Sequence, residues 1–219
     1  MTGIDYQRLY DYRMCGTGQQ ARQAVWSEIA AHLHQRMGSP QRMLDVGAGR
    51  GEFINAVPAA ERWAVDLVDF GGCHDAAIKT AAGGIVDADL PCGYFDGVFV
   101  SNVLEHLPTQ DAIGTALARI RETMSPAGTL AIMGPNFRCC PREYFDCADH
   151  VLALTHVAVS EHLHAAGFSI TAVIPRFLPY SFRGRLPASP ALTRTYLRQP
   201  ALWRLAGKQY LVLGTKPPG

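Results

Sequence analysis

Leu44-Asp45-Val46-Gly47-Ala48-Gly49-Arg50-Gly51-Glu52-Phe53 (LDVGAGRGEF) decides how this chain is read. An apolar run closes on an acidic residue, three glycines alternate with other residues, and apolar character resumes. Glycines after a strand let backbone amides come close to a nucleotide. A dinucleotide fingerprint needs GxGxxG, yet here Gly51 arrives one position early and Glu52 stands where the third glycine belongs. A carboxylate there competes with a pyrophosphate for the positive end of a following helix. No GK[ST] follows, so a phosphate-cradling P-loop is excluded. The loop suits a nucleoside carrying little negative charge.

Working outward, residues 42–46 read as a strand and 51–57 as the start of a helix that Pro58 ends. Upstream, Ala21, Val25, Ile29 and Leu33 recur at helical spacing within 18–37, and Gly38-Ser39-Pro40 stops that helix. Downstream, 62–68 is a second strand. Residues 76–82 are expected to be helical with Gly83-Gly84 as the stop, and Ile85-Val86 a short third strand. Residues 94–101, apolar on both faces, read as a buried parallel strand. Helices at 111–124 and 157–166 and strands at 129–133, 168–174 and 209–215 complete the pattern, with a turn at 125–128. Strands alternating with helices predict an α/β, Rossmann-like, doubly wound sheet. The expected organisation is one domain over 1–219: a helical segment at 1–40, a core sheet from 41–175 and 209–219, and a basic aromatic insert at 176–208.

Asp66 lies 19 residues after Gly47 at the end of the second strand, where a carboxylate can grip ribose hydroxyls. Asp87, after the third strand, can accept from an adenine amino group. Ser101, Asn102, Glu105 and His106 follow the fourth strand, on the rim where open sheets bind ligands.

With those residues in hand, DVGAGRGEF, AVDL, FDGVFVSNVLEHLP and LARIRETMSPAGTLAIMGPN resemble a class I S-adenosylmethionine-dependent methyltransferase over residues 42–136. The tail, YFDCADHVLALTHVAVSEHLHAAGF with IPRFLPYSFRGRLP and WRLAGKQYLVLGTKP, is similar to a bacterial small-molecule subgroup. Members of that subgroup accompany glycosyltransferase, cell-surface or secondary-metabolite (antibiotic) genes. The resemblance implies seven strands in the order 3-2-1-4-5-7-6, the last one antiparallel. It implies S-adenosyl-L-methionine across Gly47, Ala48, Gly49 and Gly51, its ribose on Asp66 and its adenine by Leu67, with Ser101 and Asn102 alongside; S-adenosyl-L-homocysteine is the product. IVDADLP is one residue shorter than the usual spacing, so the adenine contact falls on Asp87, Ala88 or Asp89. An N-terminal segment folded over the cofactor brings Tyr10, Arg13, Arg22 or Trp26 to the methionine end, and Arg22 is chosen for its carboxylate.

Methyl transfer needs the acceptor aligned, and a hydroxyl acceptor must also lose a proton. His106 is the first candidate base; alternatively the Glu-His pair only shapes the cofactor pocket. Asp146 and His150, four apart, can share a helical face as base and orienter. The same cluster, with Asp149 and His156, can instead hold a divalent ion or form a cap network, and the sequence assigns no metal. The expected acceptor is a small molecule: a sugar or natural-product hydroxyl, with nitrogen and carbon acceptors left open. A non-methylating enzyme of this fold, or a ligand-binding accessory subunit of such a pathway, is the rival.

Composition narrows the setting. Of 219 residues, 48% are hydrophobic, enough for a substantial core, and the net charge is +1. That balance hides an asymmetry. Residues 1–175 hold 12 Lys/Arg and 19 Asp/Glu, whereas 176–219 hold 8 Lys/Arg and no acid. The insert interleaves Arg176, Arg183, Arg185, Arg194, Arg198, Arg204 and Lys208 with Phe177, Tyr180, Phe182, Tyr196 and Trp203. Three readings stay open: a lid for a phosphorylated or nucleotide-linked acceptor, peripheral contact with an anionic membrane, or a solvated face whose aromatics cover the sheet edge. An acidic body disfavours nucleic acid. No signal peptide or apolar run of ~18 residues is evident, and six scattered cysteines without CxxC read as reduced thiols, so a cytoplasmic location is expected.

Overall fold

The computed structural model describes residues 5–14, 18–70, 72–180 and 189–218. In chain order the elements are α1 (Tyr6–Met14), α2 (Gln19–Arg36), β1 (Arg42–Val46), β2 (Glu61–Asp66), β3 (Lys79–Ala82), β4 (Phe95–Ser101), α3 (Gln110–Thr123), β5 (Met124–Pro135), α4 (His156–Ala165), β6 (Ser169–Ile174), α5 (Pro190–Leu197), α6 (Pro200–Ala206) and β7 (Gln209–Thr215). The strands form one sheet in the order β3-β2-β1-β4-β5-β7-β6. β7 runs antiparallel to both neighbours, and the other neighbouring pairs are parallel. The order reverses between β1 and β4, the switch point at which open α/β sheets bind ligands beyond their carboxyl ends.

Side-chain alternation builds two cores. Leu44, Val46, Val98, Val100, Leu130, Ile132 and Val212 pack on one face with Ile113, Leu117 and Ile120 of α3 and Val159 and Leu163 of α4. Met43, Phe99, Ala131, Met133, Leu211 and Leu213 pack on the other with Val25, Ile29 and Leu33 of α2. That period of two is what a strand buried on both faces imposes. α3 buries its i, i+3, i+4, i+7 stripe and starts at Thr109, whose hydroxyl accepts the Ala112 amide at 3.1 Å.

Several expected elements differ. Residues 79–82 are an edge strand, not the end of a helix: Lys79 to Ala82 pair with Trp63 to Asp66. Strand pairing overrides the helical propensity of the alanines, and 85–86 lies in the turn that follows. Residues 51–57 make only successive turns, with Asn55 N–H on Gly51 O and Val57 N–H on Phe53 O, both at 2.9 Å. Pro58 stops them before a helix develops. The turn at 125–128 is absorbed into β5 as an irregularity in its pairing with β4, with Ala127 at φ 61°.

Within the insert, Phe177 and Trp203 are buried against α2, and Arg194 of α5 pairs with Glu28. Phe177 and Trp203 therefore cover the sheet's α2 face, whereas Tyr180 lies toward His150. Phe182, Arg183 and Arg185 lie outside the described residues. No helix among the described residues is long and apolar enough to cross a membrane.

Candidate active site

Beyond Val46 the chain enters the glycine loop with Gly47, Gly49 and Gly51 at φ 72°, 53° and 78°. The Gly47 and Ala48 amides both donate to Val65 O, which ties the loop to β2. A Cβ on Gly47 would stand 2.3 Å from Val103 Cγ2, and one on Gly51 2.4 Å from His74 Cδ2. Neither position admits a side chain without displacing its neighbour, so the packing of this glycine cradle itself requires glycine at both. His74 Nε2–H donates to Gly49 O at 3.0 Å, and Asn55 holds the 73–75 segment through Cys73 O and the Asp75 amide.

Acids surround this cradle. Asp66 Oδ2 accepts the Gly49 amide at 2.8 Å and Oδ1 the Val68 amide at 2.9 Å. Asp45 is buried beneath; burial, then the charges of Asp66 and Glu52, pushes its carboxyl well up. Asp66 and Glu52 beside one glycine loop disfavour a pyrophosphate and suit ribose hydroxyls and a cationic centre.

At the adjoining corner, a Cβ on Gly84 would meet Leu67 Cδ2 at 3.2 Å and Asp87 Oδ2 at 4.0 Å, so these two side chains share one place. Leu67 is 75% exposed, uncommon for a leucine beside a cleft. The Ala88 methyl packs into the core, its amide bonds Gly84 O and its carbonyl accepts from Arg119, while Asp87 and Asp89 on either side are exposed. Ser101 closes β4, and Asn102 follows at φ 53° with its Nδ2 on Ser101 Oγ at 2.8 Å.

α1 crosses the cradle. The Tyr10 ring comes within 3.8 Å of a Cβ built on Gly49 and packs edge-on against Phe70 at 5.1 Å. Burial, followed by the Asp66 charge, raises its phenol. Asp11 pairs with Arg50 at one end, and Arg13 forks onto Asp149 at the other, Nη1 to Oδ2 at 3.0 Å. Arg22 of α2 is buried with its Nε 2.8 Å from Glu52 Oε1. Trp26 packs against the α2-side core, which includes Ala48 and Phe53 of the glycine loop.

The rim after β4 carries the second cluster. A 3-10 turn, Leu104–His106, aims Glu105 inward and leaves His106 half-buried. His106 Nδ1–H donates to Asp149 O at 2.9 Å, and Asp149 Oδ2 is 3.4 Å away. That bond sets the tautomer and leaves Nε2 free. Burial alone would raise the Asp149 carboxyl; the Arg13 hydrogen bonds and the His106 charge bring it below its usual value. His150 packs edge-on against His106 at 4.9 Å and Tyr144 at 4.8 Å, and burial with His106 lowers it to about 4. Glu105 is 1% exposed, and burial raises its carboxyl to about 7.

Asp146 is not the expected partner of His150. It ends a second 3-10 turn, Tyr144–Asp146, after which the chain extends at Cys147, so 146 and 150 share no helical face. Asp146 is exposed, and Asp149 takes the orienting position, toward His106. His156 opens α4 and accepts from Asn136 Nδ2 at 2.9 Å, a structural contact away from this cluster. Sequence reasoning missed Phe70 and His74, which carry no periodicity or motif, and Asp149 as an orienter, because only the irregular 144–150 path singles it out.

A glycine cradle lined by acids at a topological switch point, with an orienting Asp-His pair beside it, defines a class I site for a nucleoside cofactor without a pyrophosphate. The model of the methyltransferase domain family matches residues 19–173. The chain belongs to that family and is an S-adenosylmethionine-dependent methyltransferase. Among solved structures, it is similar to an S-adenosylmethionine-dependent methyltransferase from Archaeoglobus fulgidus (TM-score 0.64, 18% identity, 97% of this chain and 100% of that one). It is also similar to the 1,6-didemethyltoxoflavin N1-methyltransferase of Burkholderia thailandensis, solved with its acceptor and S-adenosylhomocysteine (0.59, 24%, 97% and 85%). A third similar structure is the [4+2]-cyclase SpnF (0.62, 16%, 88% and 81%). At these identities the likeness concerns the fold. No curated protein matches the chain.

Proposed function

We propose that this methyltransferase acts on a hydroxyl of a small molecule, a sugar or natural-product intermediate, presented to the wall made by Glu105, His106 and His150. The observation that carries the reading is the His106 imidazole, held through Nδ1 by Asp149 with Nε2 left open beside the acidic cradle. S-adenosylmethionine supplies an electrophilic methyl group on a sulfonium. Gly47, Ala48, Gly49 and Gly51 hold it by backbone, Asp66 takes the ribose hydroxyls, and Leu67 and Asp87 flank the adenine, with Ser101 and Asn102 alongside. The Arg22–Glu52 pair complements the carboxylate and ammonium of its methionine end. The acidic lining supports a cationic ligand, and the positive-φ glycines support close backbone approach.

A hydroxyl, unlike a neutral amine, needs its proton removed before or during transfer, and the His106 cluster handles that proton. Asp146, exposed on the approach, meets the outer part of the acceptor. Tyr180 lies 6.5 Å from His150, ring to ring, and the basic composition of 176–208 favours a phosphorylated or nucleotide-linked acceptor. The test is transfer of labelled methyl to a panel of hydroxyl, amine and activated-carbon acceptors. Label on hydroxyl acceptors is expected; label on amines alone would overturn the oxygen assignment.

A further inference from the structure

Glu105 stands out among the described residues. Its carboxyl is buried, and neither oxygen has a hydrogen-bond partner among the described residues. An unpaired buried carboxylate is costly, and it persists where it binds something. His150 Nδ1 is likewise buried without a partner. One ligand atom each from Glu105, His106 and His150 lie within 4.8 Å of one another. Two ligands of one ion at bonds of about 2.0–2.2 Å are separated by roughly 3–4.3 Å, so a small inward movement closes the set.

We propose that Glu105, His106 and His150 bind a divalent transition-metal cation, with the remaining coordination positions open to oxygens of the acceptor. The donor set selects the ion: two imidazoles and one carboxylate suit zinc, manganese or ferrous iron, and magnesium, which demands oxygen, is disfavoured. The surroundings supply the outer shell such sites use. His106 Nδ1–H donates to the backbone carbonyl of Asp149, whose carboxylate Arg13 holds in turn, which leaves Nε2 as the atom His106 can offer a cation. The rings of Tyr144 and Tyr180 wall the site around His150. Three protein ligands with open positions describe a catalytic metal site and not a closed structural one.

This inference rests on the same site as the proposed function and refines its chemistry. His106 becomes a ligand, and the cation lowers the pKa of a bound hydroxyl, whose proton passes to solvent. Oxygen ligation also favours acceptors with a hydroxyl pair or a hydroxyl beside a carbonyl, which can occupy two open positions.

The test strips the full-length protein with chelator and titrates it with zinc, and separately with manganese followed by electron paramagnetic resonance. The expected result is one ion per chain, with affinity at least tenfold weaker in both Glu105→Gln and His150→Asn, each checked for wild-type circular dichroism. Cobalt substitution gives visible absorption bands whose loss in either variant reports the ligands without any turnover. Absence of a one-equivalent site, or unchanged affinity in both variants, overturns the proposal. S-adenosylhomocysteine binding, measured on the same samples, separates the two readings: retained nucleoside binding without metal sinks only the metal site.

Discussion

At Gly47 the constraint is steric before it is chemical. Its φ of 72° excludes most side chains, and Val103 occupies the space a Cβ would need. Gly47→Ala is expected to destabilise the fold by about 1–3 kcal/mol in denaturant titration and to weaken S-adenosylhomocysteine binding. Wild-type stability with wild-type binding would remove the loop from the site. For His106, replacement by alanine should lower kcat by about 10²–10⁴ once an acceptor is in hand. Unchanged turnover would dismiss it as base and ligand alike. The glycine turn after β1 and the place of Asp66 at the end of β2 were legible because both depend on strand ends a few residues away. Asp146 and Asp149 were not separable in sequence, since a 3-10 turn and an extended residue decide which carboxylate faces His106.

Among elements, α2 and the insert share a titratable contact. His32 lies 5.9 Å from the rings of both Phe177 and Trp203, and its Nε2 accepts from Arg36 at 2.8 Å, which requires the neutral imidazole. Burial, then Arg36, lowers its pKa to about 4. Between about pH 4 and 6.5 the unfolded chain therefore binds a proton that the folded one refuses, and stability should fall as pH drops through that window. Thermal unfolding at pH 7 and 4.5 checks this, with His32→Leu expected to show the smaller difference. A second element-scale expectation concerns α3: Thr109→Ala should cost about 1 kcal/mol through the lost cap. Long amphipathic helices and fully apolar strands were legible from their periods. β3 was not, because four residues of Lys-Thr-Ala-Ala owe their extended form to pairing with β2.

For the molecule as a whole, the strand order followed from a resemblance spanning 42–136, whereas the insert's fold did not follow from its composition. Its charge and aromatics left a lid, a membrane contact and a cover on the sheet edge all open. The burial of Leu197 and Trp203 in the α2-side core and the Arg194–Glu28 pair place the part at 190–206 against α2, with Phe177 in the same core. The acidic body and basic end thus partly neutralise each other, as Lys208 and Glu143 also do. What unites the molecule is the cradle at the β1/β4 switch point, and isothermal titration calorimetry with S-adenosylhomocysteine tests it most directly. The wild-type protein should bind one equivalent, and Asp66→Ala should bind about 10–150-fold more weakly, as expected for losing hydrogen bonds to a charged group. No binding by the wild-type protein would contradict the account at its centre.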